Sequence, residues 1–305
     1  MPISTSQRSV LSELLQRHGG SHTVSTVVDA YAWCNRLAVS HYENFPVASR
    51  LLPASMRQHI TAVYAFARLA DDIADEDWTS DSAERRDALL RMQQLIEMAV
   101  EQRIDRGHPI AVALSHSIAD KALSSAPFLD LLEAFRQDID FRQPSTWNEV
   151  IQYCSYSANP VGRLVLAIAG VHDPQALQAS DDVCTALQLV NFWQDLSIDI
   201  PRGRQYLPYE LQEQLGRSAA LQEALLRTTS LFHRGRTVAR IVPSMRLRVE
   251  LHTIIRGGER MLERCQDLGD ELWNIRPILR KADYFSIALN VAADLCRNEK
   301  SPAMA

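Results

Sequence analysis

Two stretches decide how this chain folds: YAFARLADDIADE, residues 64–76, and QLVNFWQDLSID, residues 188–199. In the first stretch Asp71 and Asp75 form an i,i+4 pair, so they project side by side from one face of a helix. In the second stretch polar residues recur at intervals of three, four and four: Gln188, Asn191, Asp195 and Asp199. Each stretch therefore predicts a helix with a polar stripe along one face.

Both stripes interrupt apolar runs that are expected to be buried: Val63, Tyr64 and Phe66 in the first, and Leu187, Val190, Phe192 and Trp193 in the second. Like charges at i,i+4 destabilise a helix, and buried carboxylates are costly unless they are paired or bind a metal. A chain that carries this arrangement twice is predicted to bind a cation there. The alternative is that each stripe is a solvated helix face with ordinary charges.

The ion that suits such stripes is Mg²⁺, which takes oxygen ligands and is usually held by one or two carboxylates plus substrate phosphate oxygens. A bound diphosphate would complete this kind of site. The ions neutralise the leaving group as its C–O bond breaks. The two stripes therefore predict Mg²⁺-assisted chemistry on a diphosphate.

Composition limits the other functions. The 305 residues are 46% hydrophobic and 23% charged, which is typical of a globular protein. A net charge of −5 argues against nucleic-acid binding. No apolar run reaches the roughly 18 residues of a membrane span, and the N-terminus lacks the apolar centre of a signal peptide. Five scattered cysteines without a CxxC pair indicate reduced thiols. We expect a cytoplasmic protein, with peripheral contact at the inner face of the membrane.

Helical periodicity separated by short breaks predicts an all-α fold, in one domain covering residues 1–305. No stretch alternates like a β-strand, and no hairpin turn separates apolar runs. The predicted helices span residues 4–17, 24–39, 54–75, 83–104, 110–123, 127–140, 146–170, 177–199, 208–215, 218–241, 246–268 and 276–297.

These motifs resemble the squalene/phytoene synthase family, a branch of the class I isoprenoid synthases. The family's first motif, Arg-x-x-Asp-x-x-x-Asp, is matched by Arg68, Asp71 and Asp75. Its second motif is matched by residues 188–199 followed by RGRQYLP. Its central segment is resembled by YCSYSANPVG, residues 153–162. The resemblance covers roughly residues 40–290. It implies an all-α fold with a central apolar cavity, acidic stripes facing each other across its mouth, two or three Mg²⁺ ions and a prenyl diphosphate substrate.

The resemblance also assigns residues to roles. The metal ligands it implies are Asp71, Asp75, Asn191, Asp195 and Asp199. The catalytic residues are the four aspartates of that set with Tyr64 and Tyr153, of which Tyr153 transfers a proton or steers the cation. The substrate-binding residues are His41, Phe45, Arg68, Asn159, Gln188, Asn191, Arg202, Arg204 and Tyr206. Aromatic faces can stabilise a carbocation, and arginines make forked contacts with phosphate, although Arg202 and Arg204 also suit an exposed basic turn.

Two departures from the family pattern indicate the substrate. Condensing members carry Ser-Arg/Lys-x-Phe where this chain has YENF, residues 42–45, and many members have Arg where this chain has Gln194. The two missing positive charges should weaken the binding of a second allylic diphosphate. The segments ENFPVAS, SANPVG and NFWQD resemble those of the hopanoid-pathway subgroup that ionises presqualene diphosphate, rearranges the cation and captures it with water to give hydroxysqualene. A substrate with a single diphosphate fits the lost basic residues. Tyr153 or the Asn159 amide orients that water, unless Asn159 and Pro160 merely kink the helix.

Other readings of the motifs remain open. A condensing synthase would join two prenyl diphosphates into squalene, dehydrosqualene or a phytoene-type product. A non-catalytic relative would act in assembly, but such relatives usually lose motif carboxylates that this chain keeps. For the main hypothesis we expect no NADPH and no nucleic acid. The expected partners are presqualene diphosphate or another prenyl diphosphate, the enzymes that make presqualene diphosphate, and those that oxidise or reduce hydroxysqualene.

The metal assignment predicts a steep mutational effect. Replacing either Asp71 or Asp195 by Asn removes a negative charge from the cation site while keeping the side-chain shape. We expect turnover to fall by orders of magnitude while the thermal unfolding temperature stays near that of the wild type. Near-normal activity of either variant in a turnover assay would remove the metal-site assignment.

Overall fold

The computed structural model describes residues 23–40, 52–74, 79–104 and 107–299. Within them the expected all-α fold is confirmed, and the only β-type pairing is a single antiparallel bridge between Val24 and Gly107. Three predicted site residues, His41, Phe45 and Asp75, lie outside the described residues, as does the YENF departure. None of the described helices is both long and apolar enough to cross a membrane.

The helices are α1 (Val27–Ser40), α2 (Ala54–Ala74), α3 (Ser82–Val100), α4 (Pro109–Lys121), α5 (Ala126–Ile139), α6 (Trp147–Ser157), α7 (Asn159–Ile168), α8 (Pro174–Gln194), α9 (Leu196–Asp199), α10 (Tyr209–Leu215), α11 (Arg217–Gly235), α12 (Val238–Ile241), α13 (Met245–Leu268) and α14 (Lys281–Glu299). Short 3₁₀ helices span Ile200–Arg202 and Gly269–Trp273. The described chain divides into two compact units. The first comprises the residues up to Asp140 together with Leu164–Gly170, and the second comprises Phe141–Arg163 and the residues from Val171 onward. A single domain therefore stays a prediction.

Helix α2 is the central element of the first unit and packs against α1, α3, α4 and α5. Its inward face is apolar, and Phe66 on that face is fully buried edge-on against Phe128, with ring centroids 5.4 Å apart. The C-terminal end of α2 is held by Arg85 of α3, whose guanidinium donates a hydrogen bond of 2.7 Å to the carbonyl of Ala74. A cation at this end also suits the helix dipole. The described residues of the first acidic motif, 64–74, therefore lie on a firmly held helix.

The first unit also buries a polar network that joins α1, α2 and α4. The Tyr31 hydroxyl lies 3.0 Å from His59 Nδ1, 2.9 Å from His116 Nδ1 and 2.8 Å from Ser117 Oγ. Nε2 of His59 lies 3.2 Å from Oδ2 of Asp120, and Lys121 is the neighbouring cation. Burial, with the nearby Lys121 charge, lowers the pKa of His59 to about 4 despite Asp120. The network is therefore built around a neutral imidazole.

Helix α8 is the central element of the second unit and packs against α6, α11, α12 and α13. Two glycines let its neighbours approach closely. A Cβ at Gly235 would lie 2.8 Å from the Ala179 carbonyl oxygen, and one at Gly258 would lie 2.7 Å from the Phe232 ring. Trp193, fully buried, donates a hydrogen bond of 2.9 Å to Thr228 on α11. The second acidic motif, at the C-terminal end of α8, is thus positioned by tight helix packing.

Some predicted helices are wrong in their continuity. The helix expected over 146–170 breaks at Ala158, because Pro160 has no N–H for the carbonyl four residues earlier. The helix expected over 276–297 begins at Lys281, after an irregular segment that contains Pro277. The helix expected over 218–241 ends at Gly235 and resumes at Val238, and the one over 177–199 is interrupted at Asp195. Periodicity located these elements but not their breaks.

The neutral imidazole predicts how stability depends on pH. Because the pKa of His59 is about 4 in the folded chain and near 6.5 when unfolded, the unfolded chain binds more protons between these values. We expect the free energy of unfolding to fall as pH drops from about 6.5 to about 4, with His59 contributing at most about 1.4 kcal/mol per pH unit. Urea unfolding at several pH values measures this slope.

The variant His59→Gln lacks this titration, so its slope should be shallower than that of the wild type. The control is His233→Gln, because His233 is an exposed histidine on α11. Equal slopes for the wild type and His59→Gln would contradict the assignment.

Candidate active site

The described residues of the first motif, 64–74, lie on the C-terminal half of α2, where Arg68 binds two carboxylates of its own helix. Its Nη2 is 2.6 Å from Oδ1 of Asp72, and its Nη1 is 3.5 Å from Oδ2 of Asp71. The Asp71 side chain is 50% exposed and that of Asp72 is 13% exposed. Asp71 therefore offers a carboxylate to a cation from solvent. Asp72, to which the sequence patterns assigned no role, is the closer partner of Arg68.

Tyr64 lies one helical turn before Arg68. Burial raises the pKa of its hydroxyl, the nearby Arg68 guanidinium lowers it, and Asp72 and Asp71 raise it again. The phenol therefore stays protonated and neutral at physiological pH. It can present an aromatic face or donate one hydrogen bond.

In the second motif the helical register continues although the helix is interrupted. Asp195 has φ −99° and ψ 8°, which ends α8 at Gln194 and begins the short α9. The Asp195 amide still donates to the Asn191 carbonyl at 3.0 Å, and the Asp199 amide donates to the Asp195 carbonyl at 2.8 Å. Four-residue spacing is therefore preserved, and the stripe predicted from the sequence is present in the backbone. Asn191 is exposed, while Gln188 and both aspartates are half-buried.

The surroundings of the second motif disfavour the negative charge on Asp199. Burial raises the pKa of Asp199, and the Asp195 carboxylate raises it further. Arg204, Arg202 and Arg276 oppose this rise. The charge on Asp199 is therefore disfavoured by burial and by the Asp195 carboxylate one helical turn away.

Among the described side chains, no three of His, Cys, Asp or Glu cluster closely enough to hold a metal by themselves. The carboxylates of Asp195 and Asp199, one helical turn apart, are oxygen donors of the kind that Mg²⁺ takes, and one or two carboxylates commonly hold this ion together with phosphate oxygens and water. The residues present therefore fit the ion.

Arg276 is the main site residue that sequence reasoning missed. Its Nε donates a hydrogen bond to Oδ1 of Asp195, although the two residues are 81 positions apart. It lies in the segment 275–280, which precedes α14. The same segment is tethered by Gln194, whose Nε2 donates to the Pro277 carbonyl at 3.1 Å. No local pattern around Arg276 marks it, because its partner comes from a distant helix.

This pairing offsets part of the charge deficit expected at Gln194. The sequence predicted that a positive charge is missing where this chain has Gln194. In the structure Arg276 supplies a guanidinium to the neighbouring Asp195, and Gln194 helps to position the segment that carries it. The deficit at the second motif is therefore smaller than the substitution at residue 194 alone suggests.

The predicted phosphate-binding turn follows directly after α9. In this turn the Arg204 amide donates a hydrogen bond of 2.9 Å to the Asp199 carbonyl. Gly203 has φ +77°, a conformation that favours glycine. Arg202 is exposed and Arg204 half-buried. The turn thus keeps both guanidiniums near Asp199, where they oppose the rise of its pKa.

Tyr153 and Tyr206, predicted separately, lie together in an aromatic cluster. Tyr206 is buried and stacks parallel on Phe192, with ring centroids 3.6 Å apart. The Tyr153 ring lies 5.5 Å from that of Tyr206 and 5.9 Å from that of Phe192, and Phe141 completes the cluster on Tyr206. The π faces of such rings attract cations.

Asn159 begins α7 and is 7% exposed. Its Oδ1 accepts a hydrogen bond of 2.9 Å from the Thr185 hydroxyl on α8. This contact is structural, and a role in orienting water stays a prediction. The alternative expectation, that Asn159 and Pro160 interrupt the helix, agrees with the break at Ala158.

Known proteins resemble the chain over most of its length. The profile of the squalene/phytoene synthase family matches residues 38–283. The hydroxysqualene synthase of Rhodopseudomonas palustris is 34% identical over 255 residues, which cover 77% of this chain and 84% of that protein. The hydroxysqualene synthase of Zymomonas mobilis is 33% identical over 268 residues, covering 82% and 87%. This chain therefore belongs to the squalene/phytoene synthase family.

A solved structure supports the same conclusion. The crystal structure of squalene synthase HpnC from Alicyclobacillus acidocaldarius matches with a TM-score of 0.74 and 36% identity, and the match covers 80% of this chain and 95% of that one. Both the family and the helical fold expected from the motifs are thus confirmed.

The Arg276–Asp195 pair predicts opposite effects on two ligands. In Arg276→Gln a positive charge beside two carboxylates is lost, so Mg²⁺ alone should bind about fivefold tighter or more. Inorganic pyrophosphate, added with saturating Mg²⁺, should bind more weakly because one guanidinium donor is gone. Isothermal titration calorimetry measures both affinities. The matched control is Arg163→Gln, since Arg163 pairs with Asp181 elsewhere on α8. Unchanged affinity for both ligands would show that Arg276 does not act on the site.

Proposed function

We propose that the protein is a Mg²⁺-dependent hydroxysqualene synthase that converts presqualene diphosphate and water into hydroxysqualene and diphosphate. The observation that carries this proposal is similarity over more than three quarters of the chain to proteins named hydroxysqualene synthase, in a chain that keeps the acidic motifs. The reaction would make it a carbon–oxygen lyase acting on a diphosphate. Its products would serve squalene and hopanoid biosynthesis.

Each acidic motif would supply Mg²⁺ ligands for the diphosphate. The Mg²⁺ ligands we propose are Asp71, Asp75, Asn191, Asp195 and Asp199. Bound Mg²⁺ would supply the charge that neutralises the leaving diphosphate. Arg202, Arg204 and Arg276 donate hydrogen bonds to its oxygens, with their fork geometry matched to phosphate. Arg276 is already aligned by the Gln194–Pro277 hydrogen bond of 3.1 Å.

The aromatic residues would act on the carbocation that ionisation leaves behind. Tyr153, Tyr206 and Phe192 offer clustered π faces, and Tyr64 offers a neutral phenol. Apolar surroundings exclude water until the cyclopropylcarbinyl cation has rearranged. One water then adds its oxygen to the cationic carbon and loses a proton, for which the released diphosphate is a nearby base. Tyr153 is the preferred residue to orient that water, because the side-chain oxygen of Asn159 already accepts a hydrogen bond from Thr185.

A second candidate function is the condensation of two prenyl diphosphates. The observation that favours it is the Arg276–Asp195 pair, because this guanidinium offsets part of the positive charge missing at Gln194. The charge argument against a second diphosphate then depends largely on Glu43, which lies outside the described residues. The two functions differ in substrate, so one assay separates them.

Cellular context follows from the proposed chemistry. The substrate and product are lipids, so we propose a protein of the cytoplasm in peripheral contact with the inner face of the membrane. Its pathway partners would be the enzyme that makes presqualene diphosphate and an enzyme that oxidises or reduces hydroxysqualene. The proposed reaction transfers no hydride and needs no NADPH.

The decisive experiment is an extraction assay with purified protein and Mg²⁺ but no nicotinamide. Presqualene diphosphate and farnesyl diphosphate are given separately, and lipid products are identified by mass spectrometry. We expect presqualene diphosphate to yield a C30 alcohol while farnesyl diphosphate remains intact. Consumption of farnesyl diphosphate would instead assign the protein to the condensing synthases.

Two aspartate variants on α8 serve as matched controls for this assay. Asp195→Asn should lose turnover by at least about 100-fold, as expected for a group that stabilises charge in the transition state. Asp181→Asn alters a carboxylate on the same helix that pairs with Arg163 and should keep normal turnover. Equal loss in both variants would point to damage to α8 rather than to the site.

A further inference from the structure

The start of α14 and the segment before it expose several large apolar side chains. We define the α14 patch as Ile275, Ile278, Tyr284, Phe285 and Leu289. Each of these side chains is between 48% and 68% exposed. Scattered exposed hydrophobic residues are normal, but a group of five within 15 residues indicates an interaction surface.

The patch follows the geometry of the helix. Tyr284, Phe285 and Leu289 lie on one face of α14, and Ala288 and Ala292 on that face are also exposed. The opposite face is buried at Asp283, Ile287 and Val291. Helix α14 therefore already packs one face on α13, and the exposed face is a second apolar surface rather than an unpacked core.

Ion pairs hold α14 in this orientation. Asp283 is fully buried and accepts hydrogen bonds from Arg260 at 2.7 Å, from Arg264 at 2.8 Å and from the Arg280 amide at 2.6 Å. Further along α14, the Asp294 carboxylate accepts two hydrogen bonds from Arg256, at 2.7 Å from Nε and 2.8 Å from Nη2. The patch is thus presented by a rigidly docked helix.

The charges around the patch favour an anionic partner. Within residues 275–292 the only carboxylate is that of Asp283, which is buried and paired. Arg280 and Lys281 are exposed at the same end of α14, whereas Arg276 is paired with Asp195. Aromatic and apolar side chains beside exposed basic residues are the composition of surfaces that bind lipid headgroups.

The patch also continues into the candidate active site. Ile275 and Ile278 lie in the segment 275–280. In the same segment Arg276 donates a hydrogen bond to Asp195, and the Pro277 carbonyl accepts one from Gln194. A lipid surface bound to the patch would therefore lie beside the second motif. A long hydrocarbon substrate leaving a bilayer would have only a short path through water.

We propose that the α14 patch docks the protein on an anionic lipid bilayer, so that a hydrocarbon diphosphate passes between the membrane and the second motif. The docking itself rests on the patch and its charges, while the passage of substrate rests on the proposed function. The apolar and aromatic side chains enter the headgroup region, and Arg280 and Lys281 bind its phosphates. Each basic residue near an anionic surface should contribute about fivefold in affinity.

Vesicle sedimentation with the full chain tests the docking. Vesicles contain phosphatidylcholine alone, or equal parts of phosphatidylcholine and phosphatidylglycerol. We expect binding to the anionic vesicles, at least tenfold weaker binding by Phe285→Ser/Leu289→Ser, and weaker, less salt-sensitive binding by Arg280→Gln/Lys281→Gln. The control Leu226→Ser changes a similarly exposed leucine on α11, outside the patch, and should bind as the wild type does. Melting temperatures verify that each variant is folded.

Other occupants of the patch give different results, and each would overturn the proposal. Failure of the wild type to bind either vesicle, or equal binding by Phe285→Ser/Leu289→Ser, contradicts docking. A dimer in light scattering that Phe285→Ser/Leu289→Ser dissociates, without vesicle binding, assigns the patch to a second copy. Vesicle binding that appears only after deletion of residues 1–22 assigns it to the chain's own N-terminal segment.

An activity measurement separates this proposal from the proposed function. Turnover of presqualene diphosphate is compared in detergent micelles and in anionic vesicles. The proposal expects Phe285→Ser/Leu289→Ser to keep turnover in detergent and to lose at least tenfold in vesicles. Vesicle binding without turnover of presqualene diphosphate would retain the docking and reject the hydroxysqualene function. Equal turnover by this variant and the wild type in vesicles would reject the docking route.

Discussion

The crowding of Asp195 and Asp199 on one helical turn is the constraint on which the second unit depends. Burial and mutual repulsion both act against the charge on Asp199. Three arginines offset that repulsion, two from the turn after α9 and one from the segment before α14. The acidic turn follows α8, which is packed closely at Gly235 and Gly258 and is joined to α11 by the Trp193–Thr228 hydrogen bond.

The two acidic motifs balance their charge by different routes. In the first motif Arg68 lies on the same helix as its carboxylate partners, so the pairing is local and leaves Asp71 half exposed. In the second motif the balancing guanidinium of Arg276 comes from a distant segment. Gln194 belongs to this second arrangement, because its amide holds the Pro277 carbonyl. In the sequence, Gln194 looks like the loss of an arginine that binds phosphate. In the structure, Gln194 helps to position the segment that carries Arg276.

The segment 275–280 links three features of the second unit. Its Arg276 pairs with Asp195 of the acidic motif, and its Ile275 and Ile278 begin the exposed α14 patch. It ends just before α14, where Asp283 forms ion pairs with Arg260 and Arg264. Pro277 disfavours a helix here, so the backbone is free to extend along the motif. Charge balance, helix docking and an apolar surface thus depend on six residues without regular secondary structure.

The sequence by itself determined the helical class, the approximate position of most helices and the two acidic stripes, because these follow from local periodicity and from i,i+4 spacing. It also placed Tyr153 and Tyr206 among the site residues through motif resemblance. It offered a kink at Asn159 and Pro160 only as an alternative, and it did not determine the break at Asp195, the Asn159–Thr185 contact, the buried His59 network or the role of Arg276. Each of these depends on partners distant in the chain or on how packing resolves a local conflict. Only the tertiary structure brings those partners together, since a hydrogen bond or ion pair between distant helices leaves no periodic pattern in the sequence.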